Sequence, residues 1–320
     1  MTQPTPLPSE VQPPAGTGKS YEFSPRDNFL GLPAEQSAFE TSRALILPVP
    51  FEATTSYGAG TRNGPKAIIE ASAQVELYDI DLGSEPAMEW GIHTLPALSL
   101  TLQSPEAAVA EITAAVADLP CREKLVCLLG GEHTMSVGFA RGLAQHFGTF
   151  LTVQLDAHAD LRDSYEGTPY SHACAMRRIL ELGGSLFQLG IRSLDWTEAE
   201  YIAENPERVT CYTAAAMFDG TDWRTELRNA VANQQVFLTI DVDAFDPSVM
   251  PSTGTPEPGG LTWYDVLEIV KIVGESGNVI AFDCVELAPI PGLHYADFTA
   301  AKLVYKTISE ILGRRLRLVG

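Results

Sequence analysis

Six short runs of apolar residues recur from residue 43 onward, at 44–47, 125–129, 150–155, 186–189, 236–240 and 279–282. None shows the strict alternation of a strand with one wet face. Continuous runs of this kind are what strands covered on both faces look like, and sheets covered on both faces are predominantly parallel. Parallel neighbours need a crossover connection. The stretches between the runs carry helical spacing, with candidate helices at 105–117, 173–182, 221–232 and 262–274, and Thr262 is placed to cap the last. The expected architecture is therefore α/β, a three-layer α/β/α arrangement with a central, mostly parallel sheet. With 320 residues, 45% of them hydrophobic, the chain can bury one large core. There is no internal repeat. Polar signatures follow several of the runs, and ligands of open parallel sheets bind at the carboxyl ends of strands. One domain with one site, spanning 26–320, is the economical expectation. Residues 1–25, rich in Pro, Ser, Thr and Gly and lacking apolar periodicity, read as a flexible N-terminal arm.

Charge and cysteine content narrow the function classes. Lys and Arg number 21 against 41 Asp and Glu, a formal charge of -20. Such a chain repels phosphate backbones, so no nucleic-acid partner is expected and small cations are favoured. No apolar stretch reaches the length of about eighteen residues that a membrane helix needs. The opening MTQPTPLPSE lacks the basic and apolar regions of a secretory signal, and a cytoplasmic address is expected. Cysteines at 121, 127, 174, 211 and 284 are odd in number and form no C-x-x-C, so they read as reduced, mostly buried thiols. The segment Ala15-Gly16-Thr17-Gly18-Lys19-Ser20 looks like the end of a P-loop. Pro13 stands where its first Gly is required, however, and no strand precedes it.

Three strand-end motifs carry the chemistry. Asp156-Ala157-His158-Ala159-Asp160 follows the run at 150–155; in an extended segment its two carboxylates and imidazole project to one side. Asp241-Val242-Asp243 follows the run at 236–240. Gly130-Gly131-Glu132-His133-Thr134 follows the run at 125–129, where two glycines allow a sharp turn that presents His133. A lone D-x-D after a strand is commonly a helix cap or a solvated turn. Here, though, three of the chain's six histidines fall inside or just beyond these motifs. If the pieces meet, Asp156, Asp160, Asp241 and Asp243 put four negative charges into one dry pocket, and two divalent cations would cancel them. Carboxylate and imidazole without thiolate suit manganese, iron, nickel or cobalt better than a structural zinc.

In their order, Gly130 to His133, Asp156 to Asp160 and the segment Asp241-Val242-Asp243-Ala244-Phe245-Asp246-Pro247 resemble the three signature segments of the arginase and agmatinase ureohydrolases. The turn PEPGGL at 256–261 and the stretch at 50–72 also look like that family, so the likeness covers nearly the whole chain beyond the arm. The resemblance implies an arginase-like fold, two Mn2+ per chain and a homotrimer or homohexamer. It implies that His133, Asp156, Asp160 and Asp241 surround one ion and that Asp156, His158, Asp241 and Asp243 serve the other, with Asp156 and Asp241 bridging. It further implies that His172, in Tyr170-Ser171-His172-Ala173, handles protons and that Glu286, in Asp283-Cys284-Val285-Glu286, holds a guanidinium. Asp283 is the competing acid, for which a structural reading is preferred.

Those roles fit one reaction. A guanidinium carbon is a poor electrophile, so water must be made strongly nucleophilic, which a two-metal site achieves at neutral pH. The departing amine needs a proton, for which His172 is the candidate. Glu286 would pair with the planar guanidinium through parallel charge-assisted hydrogen bonds. The interval at 161–171 looks agmatinase-like, with Asp163 and Glu166 available for an amine tail or equally as solvated loop charges. Asp195 matches an amine-binding position or caps the following helix. Agmatine, giving putrescine and urea, is the expected substrate; aminopropylagmatine, guanidinobutyrate and arginine are the alternatives. A non-catalytic metal-binding homologue is the reading from another class, and the intact motifs argue against it.

Overall fold

The computed structural model describes residues 28–101 and 103–317. The arm at 1–25 and the P-loop-like segment lie outside the described residues. The chain runs β1 (Ala44–Val49), α1 (Gly64–Ser72), α2 (Pro86–Trp90), β2 (Ile92–Thr94), α3 (Pro105–Ala117), β3 (Leu125–Gly130), α4 (Met135–Phe147), β4 (Leu151–Leu155). It continues through α5 (Ala175–Leu180), β5 (Ser185–Ile191), α6 (Trp196–Glu204), β6 (Val209–Thr213), α7 (Ala214–Phe218), α8 (Trp223–Val231), β7 (Gln235–Asp241), α9 (Trp263–Ser276), β8 (Asn278–Val285) and α10 (His294–Arg317). The eight strands form one sheet in the order β2-β1-β3-β8-β7-β4-β5-β6, and every neighbouring pair is parallel.

The unbroken apolar runs explain the layers. Because successive side chains of a strand point to opposite faces, each run feeds two cores at once. Ala44 and Ile46 of β1, with Leu125, Cys127 and Leu129 of β3, pack against α1, α8, α9 and α10. Leu45 and Leu47, with Val126 and Leu128, pack on the other face against α3, α4 and α5. All six expected strands are present, each within a few residues of its expected bounds. Strands β2 and β6 were not among them. Both lie at sheet edges, one three residues long and the other half-buried and partly polar, so neither carries a long apolar run.

Helix starts follow local capping chemistry. Ser104 accepts from the Ala107 amide at 3.1 Å at the head of α3. Thr262 and Asp265 form a reciprocal capping box at the head of α9, as expected of Thr262. The helix expected at 173–182 is shorter. A 3-10 turn at His172–Cys174 precedes α5, which stops before Gly183. All five cysteines are free thiols, four of them buried. No helix among the described residues is long and apolar enough to cross a membrane.

The last helix is fastened by a buried ion cluster. Lys306 of α10 lies 2.9 Å from Asp79 and 2.7 Å from Asp81, with Glu310 at 3.7 Å. Burial opposes the Lys306 charge, but Asp81 and Asp79 prevail and hold its pKa above the usual lysine value of 10.5. The bond to Lys306 holds Asp81 below its ordinary 3.8. We predict that Lys306→Met costs about 3 kcal/mol, because Asp79 is left buried without its cation. Urea unfolding measures this. The wild-type advantage should be fully present between pH 3.8 and 10.5, fade at higher pH as Lys306 deprotonates, and fade at lower pH as Asp81 protonates.

Candidate metal centre

The four central neighbours of the sheet, β3, β8, β7 and β4, carry the three strand-end motifs and Glu286 at their carboxyl ends. The chain leaves β3 through α4 and re-enters at β4 with β8 and β7 between the two, so the site lies where strand order reverses. The structure brings the six expected ligand residues together. His133 Nδ1 lies 3.0 Å from Asp160 Oδ2, 3.2 Å from Asp156 Oδ2 and 3.4 Å from Asp241 Oδ2. His158 Nδ1 lies 2.9 Å from Asp243 Oδ2 and 3.6 Å from Asp156 Oδ1. Asp156 thus turns one oxygen toward each group. Asp241 belongs to the His133 group, and its Oδ1 accepts the Asp243 amide at 2.8 Å.

Two expectations about local backbone need correction. The segment 156–160 does not stay extended, because Asp160 takes a left-handed conformation at φ 52°. The turn lets Asp160 reach back to His133, beside Asp156, rather than continue a row. Nor do Gly130 and Gly131 make a positive-φ turn. A Cβ on Gly131 would collide with the Phe51 carbonyl, and Glu132 N–H donates to that same carbonyl at 3.0 Å. Close approach of the 50–62 loop, not turn geometry, requires this glycine.

Neighbours that sequence reasoning left unassigned aim the ligand atoms. His133 Nε2 lies 2.9 Å from Thr239 Oγ1, and Thr239 is bonded in turn to Asp283. Asp283 also accepts from Ser136 Oγ at 2.6 Å and the Ile240 amide at 3.2 Å, the structural reading expected of it. With its hydroxyl proton on Asp283, Thr239 receives Nε2–H and leaves the Nδ1 lone pair facing the carboxylates. That buried Nδ1 has no hydrogen-bond partner. Burial opposes a charged His133, yet Asp156, Asp160 and Asp241 hold its pKa well above 6.5, so a cation, a proton or a metal in its place, must stand between Nδ1 and the three carboxylate oxygens, and the donor set fits a divalent metal. Gln188 donates to Gln154 Oε1 at 2.6 Å, and Gln154 donates to Asp156 Oδ2 at 2.7 Å, fixing the carboxylate shared by the two groups.

The protein groups themselves show the same electrostatic conflict. Burial and the Asp156 charge push Asp160 up to about 7, against the pull of His133. Burial and the charges of Asp243 and Asp156 drive Asp241 well above the carboxylate range. Burial works against a charged His158, yet Asp156 and Asp243 hold its pKa up at about 12.

Beside these ligands is a cavity of about 30 Å³ lined by Tyr57, His158, His172, Asp241, Asp243 and Glu286, among others. Glu286, at φ 67°, accepts the His133 amide at 2.6 Å, and burial and Glu132 raise its pKa well above 4.5. His172 Nδ1 lies 3.2 Å from Thr54 Oγ1, whose own proton goes to Glu132 Oε1 at 2.9 Å. With Thr54 Oγ1 as acceptor of Nδ1–H, and Ser171 Oγ also 3.3 Å from that nitrogen, Nε2 is left as the basic nitrogen of His172. The residues suggested for a substrate tail are elsewhere engaged. Asp163 pairs with Arg178 at 2.6 Å, Glu166 sits in the Tyr165–Thr168 turn, and Asp195 caps α6 while lying 3.4 Å from Arg162.

A model of the Arginase family matches residues 42–309. The chain belongs to the arginase family. It is 40% identical to an N(1)-aminopropylagmatine ureohydrolase of Synechocystis sp., over 84% of this chain and 89% of that one. It is 33% identical to an agmatinase of Bacillus cereus, over 79% of this chain and 86% of that one. Among solved structures, the agmatine ureohydrolase of Thermoplasma volcanium superposes with a TM-score of 0.77 at 27% identity, covering 88% of this chain and 94% of that one. This member of the arginase family is a ureohydrolase, an enzyme acting on guanidino groups.

Two outcomes are expected of this arginase-family site. Metal must displace the protons that His158 and Asp160 hold near neutrality, so manganese binding at pH 7 should release protons and weaken as pH falls. Calorimetry in two buffers of different ionisation enthalpy reads that release. Asp283→Asn, which loosens the Thr239 hold on His133, should weaken manganese affinity about 10- to 100-fold in the same titration.

Proposed function

We propose that this ureohydrolase uses two Mn2+ per chain to hydrolyse the guanidino group of a linear polyamine-type substrate, releasing urea and an amine. N(1)-aminopropylagmatine is the first substrate and agmatine the second. The sequence alone prefers agmatine, but the relative at 40% identity bears the aminopropylagmatine name, against 33% for the agmatinase. The observation that carries the metal assignment is the buried His133 Nδ1 converging with three carboxylate oxygens, at 3.0 to 3.4 Å. His133, Asp156 and Asp160, with Asp241, would hold one ion; Asp156, His158 and Asp243 would hold the other. When bound, the ions supply Lewis-acid activation of a water nucleophile.

The protein's own groups do the rest. Glu286 is fixed by the His133 amide and lines the cavity, where its carboxylate can pair with a guanidinium and aim the carbon. His172 is held neutral, its pKa pushed down to about 4 by burial and by the charges of His158 and His133. A neutral imidazole with Nδ1–H tied to Thr54 can take a proton from the nucleophilic water at Nε2 and return it to the departing amine. We further propose a cytoplasmic homotrimer or homohexamer acting on this small cationic substrate, a state that sedimentation would test.

Urea release by manganese-loaded protein from aminopropylagmatine, agmatine, guanidinobutyrate and arginine is the deciding experiment. Highest kcat/KM is expected for aminopropylagmatine, and absence of urea from the whole panel would refute the assignment. His172→Asn should lower kcat by about 10²- to 10⁴-fold with metal content unchanged. Equal loss of metal would make His172 structural instead.

A further inference from the structure

Outward from the metal centre lies a second cavity of about 290 Å³, whose walls include Ser56, Arg162, Tyr165, His172, Glu198 and Glu257. His158, Asp160 and His172 line this cavity and the inner one alike, so the two adjoin. A substrate with its guanidinium at Glu286 therefore extends its tail into the outer space.

The charged groups on that wall can be sorted by what already occupies them. Arg162 lies 3.4 Å from Asp195 and 3.8 Å from Glu198, with its guanidinium over the Tyr165 ring. Glu198 accepts the Leu161 amide at one oxygen and the Asp195 amide at the other, each at 2.7 Å. Asp160 faces His133. Glu257 differs. Its carbonyl is pinned by Arg192, with Nη2 at 2.7 Å and Nε at 3.3 Å, yet its half-buried carboxylate has no hydrogen bond or ion pair among the described residues. A carboxylate held on a fixed backbone, partly withdrawn from water and without a cation, is an unfilled ammonium site.

We propose that Glu257 anchors the tail ammonium four carbons from the guanidine, the primary one of agmatine and the secondary one of aminopropylagmatine, and so selects guanidines with a cationic tail over those without one. This rests on the ureohydrolase reading of the inner site. It replaces Asp163 and Asp195, which the structure pairs with arginines, and Glu166, which is exposed and does not line the cavity.

The test compares agmatine with butylguanidine, which keeps the guanidine and four-carbon chain but lacks the ammonium. Full-length, manganese-loaded Glu257→Gln should lose about 10- to 100-fold of the wild-type preference for agmatine, mainly through KM, the effect of one hydrogen bond between charged groups. Glu257→Ala carries the same expectation, and Glu257→Asp, which keeps the charge, should retain most of the preference. A preference ratio left at the wild-type value in Glu257→Gln and Glu257→Ala overturns the anchor. If wild-type protein releases urea from neither compound, the reaction assignment fails separately. Calorimetric binding of 1,4-diaminobutane then decides the anchor: weaker binding by Glu257→Gln upholds it, and equal binding by both proteins overturns it.

Discussion

Four aspartates and His133 are buried together, with His158 half-buried beside them, at the tips of neighbouring parallel strands, and much of the surrounding structure is arranged to make that tolerable. Carboxylates in a dry pocket normally take up protons. Asp160, Asp241 and Asp243 are pushed upward accordingly, while donors on the outer faces of three of the four oppose that: the Ala157 amide on Asp243, the His158 amide and Gln154 on Asp156, and the Asp243 amide on Asp241. Those donors favour the ionised forms and fix each carboxylate's orientation, while the remaining oxygens converge. Thr239 does the equivalent for His133 by occupying its other nitrogen. The negative charge is therefore a constructed feature whose natural complement is divalent metal.

Two further acids act as struts for the loop that closes the site. Glu132 accepts the amides of Ala53 and Thr54, both at 2.7 Å, together with the Thr54 hydroxyl. Glu52 accepts the Gly60 amide at 2.6 Å and pairs with Arg62 at 3.0 Å. Burial opposes the Glu52 charge, but Gly60 and Arg62 outweigh it and hold its pKa below 4.5. The loop at 52–62 is thus fastened at both ends by carboxylates, and it delivers Thr54 to His172 and Tyr57 to the cavity wall. His172 and His133 share one piece of scaffolding, since Glu132, which holds Thr54 against His172, immediately precedes His133.

Much of this was legible in the sequence, for identifiable reasons. Continuous apolar runs report burial on both faces, so the six long strands could be read directly, whereas β2 and β6 at the edges leave no such trace. That His133, Asp156, His158, Asp160, Asp241 and Asp243 would meet was legible because three acid- and imidazole-bearing motifs each follow an apolar run, and the tips of these strands come together in a parallel sheet. Partner choice was not. Asp163 and Asp195 looked available for a substrate because Arg178 and Arg162 neutralise them only after folding, and Asp283 needed Ser136 and Thr239 around it before its role was visible. Glu257 carries no local signal at all, since what distinguishes it is the lack of a partner. Spacing reports which backbone positions share a side, but not which charges are already satisfied.

Arg192 shows how the metal centre and the outer wall are joined. Its guanidinium donates to the carbonyls of Gly190, Asp243, Ala244, Phe245, Glu257 and Pro258, tying the strand tip that carries Asp243 to the turn that carries Glu257. A planar fork with five donors can serve so many acceptors at once; a lysine ammonium could not. Asp246 reinforces the joint by accepting the Gly259 and Gly260 amides, and a Cβ on Gly260 would strike the Asp246 amide and Arg192. The two of these bonds that reach residue 257 use its backbone carbonyl, and none uses its side chain. The tail-facing residue can therefore change without disturbing the ligands, so a metal centre of fixed geometry can be matched to different substrate tails from a single position on its rim.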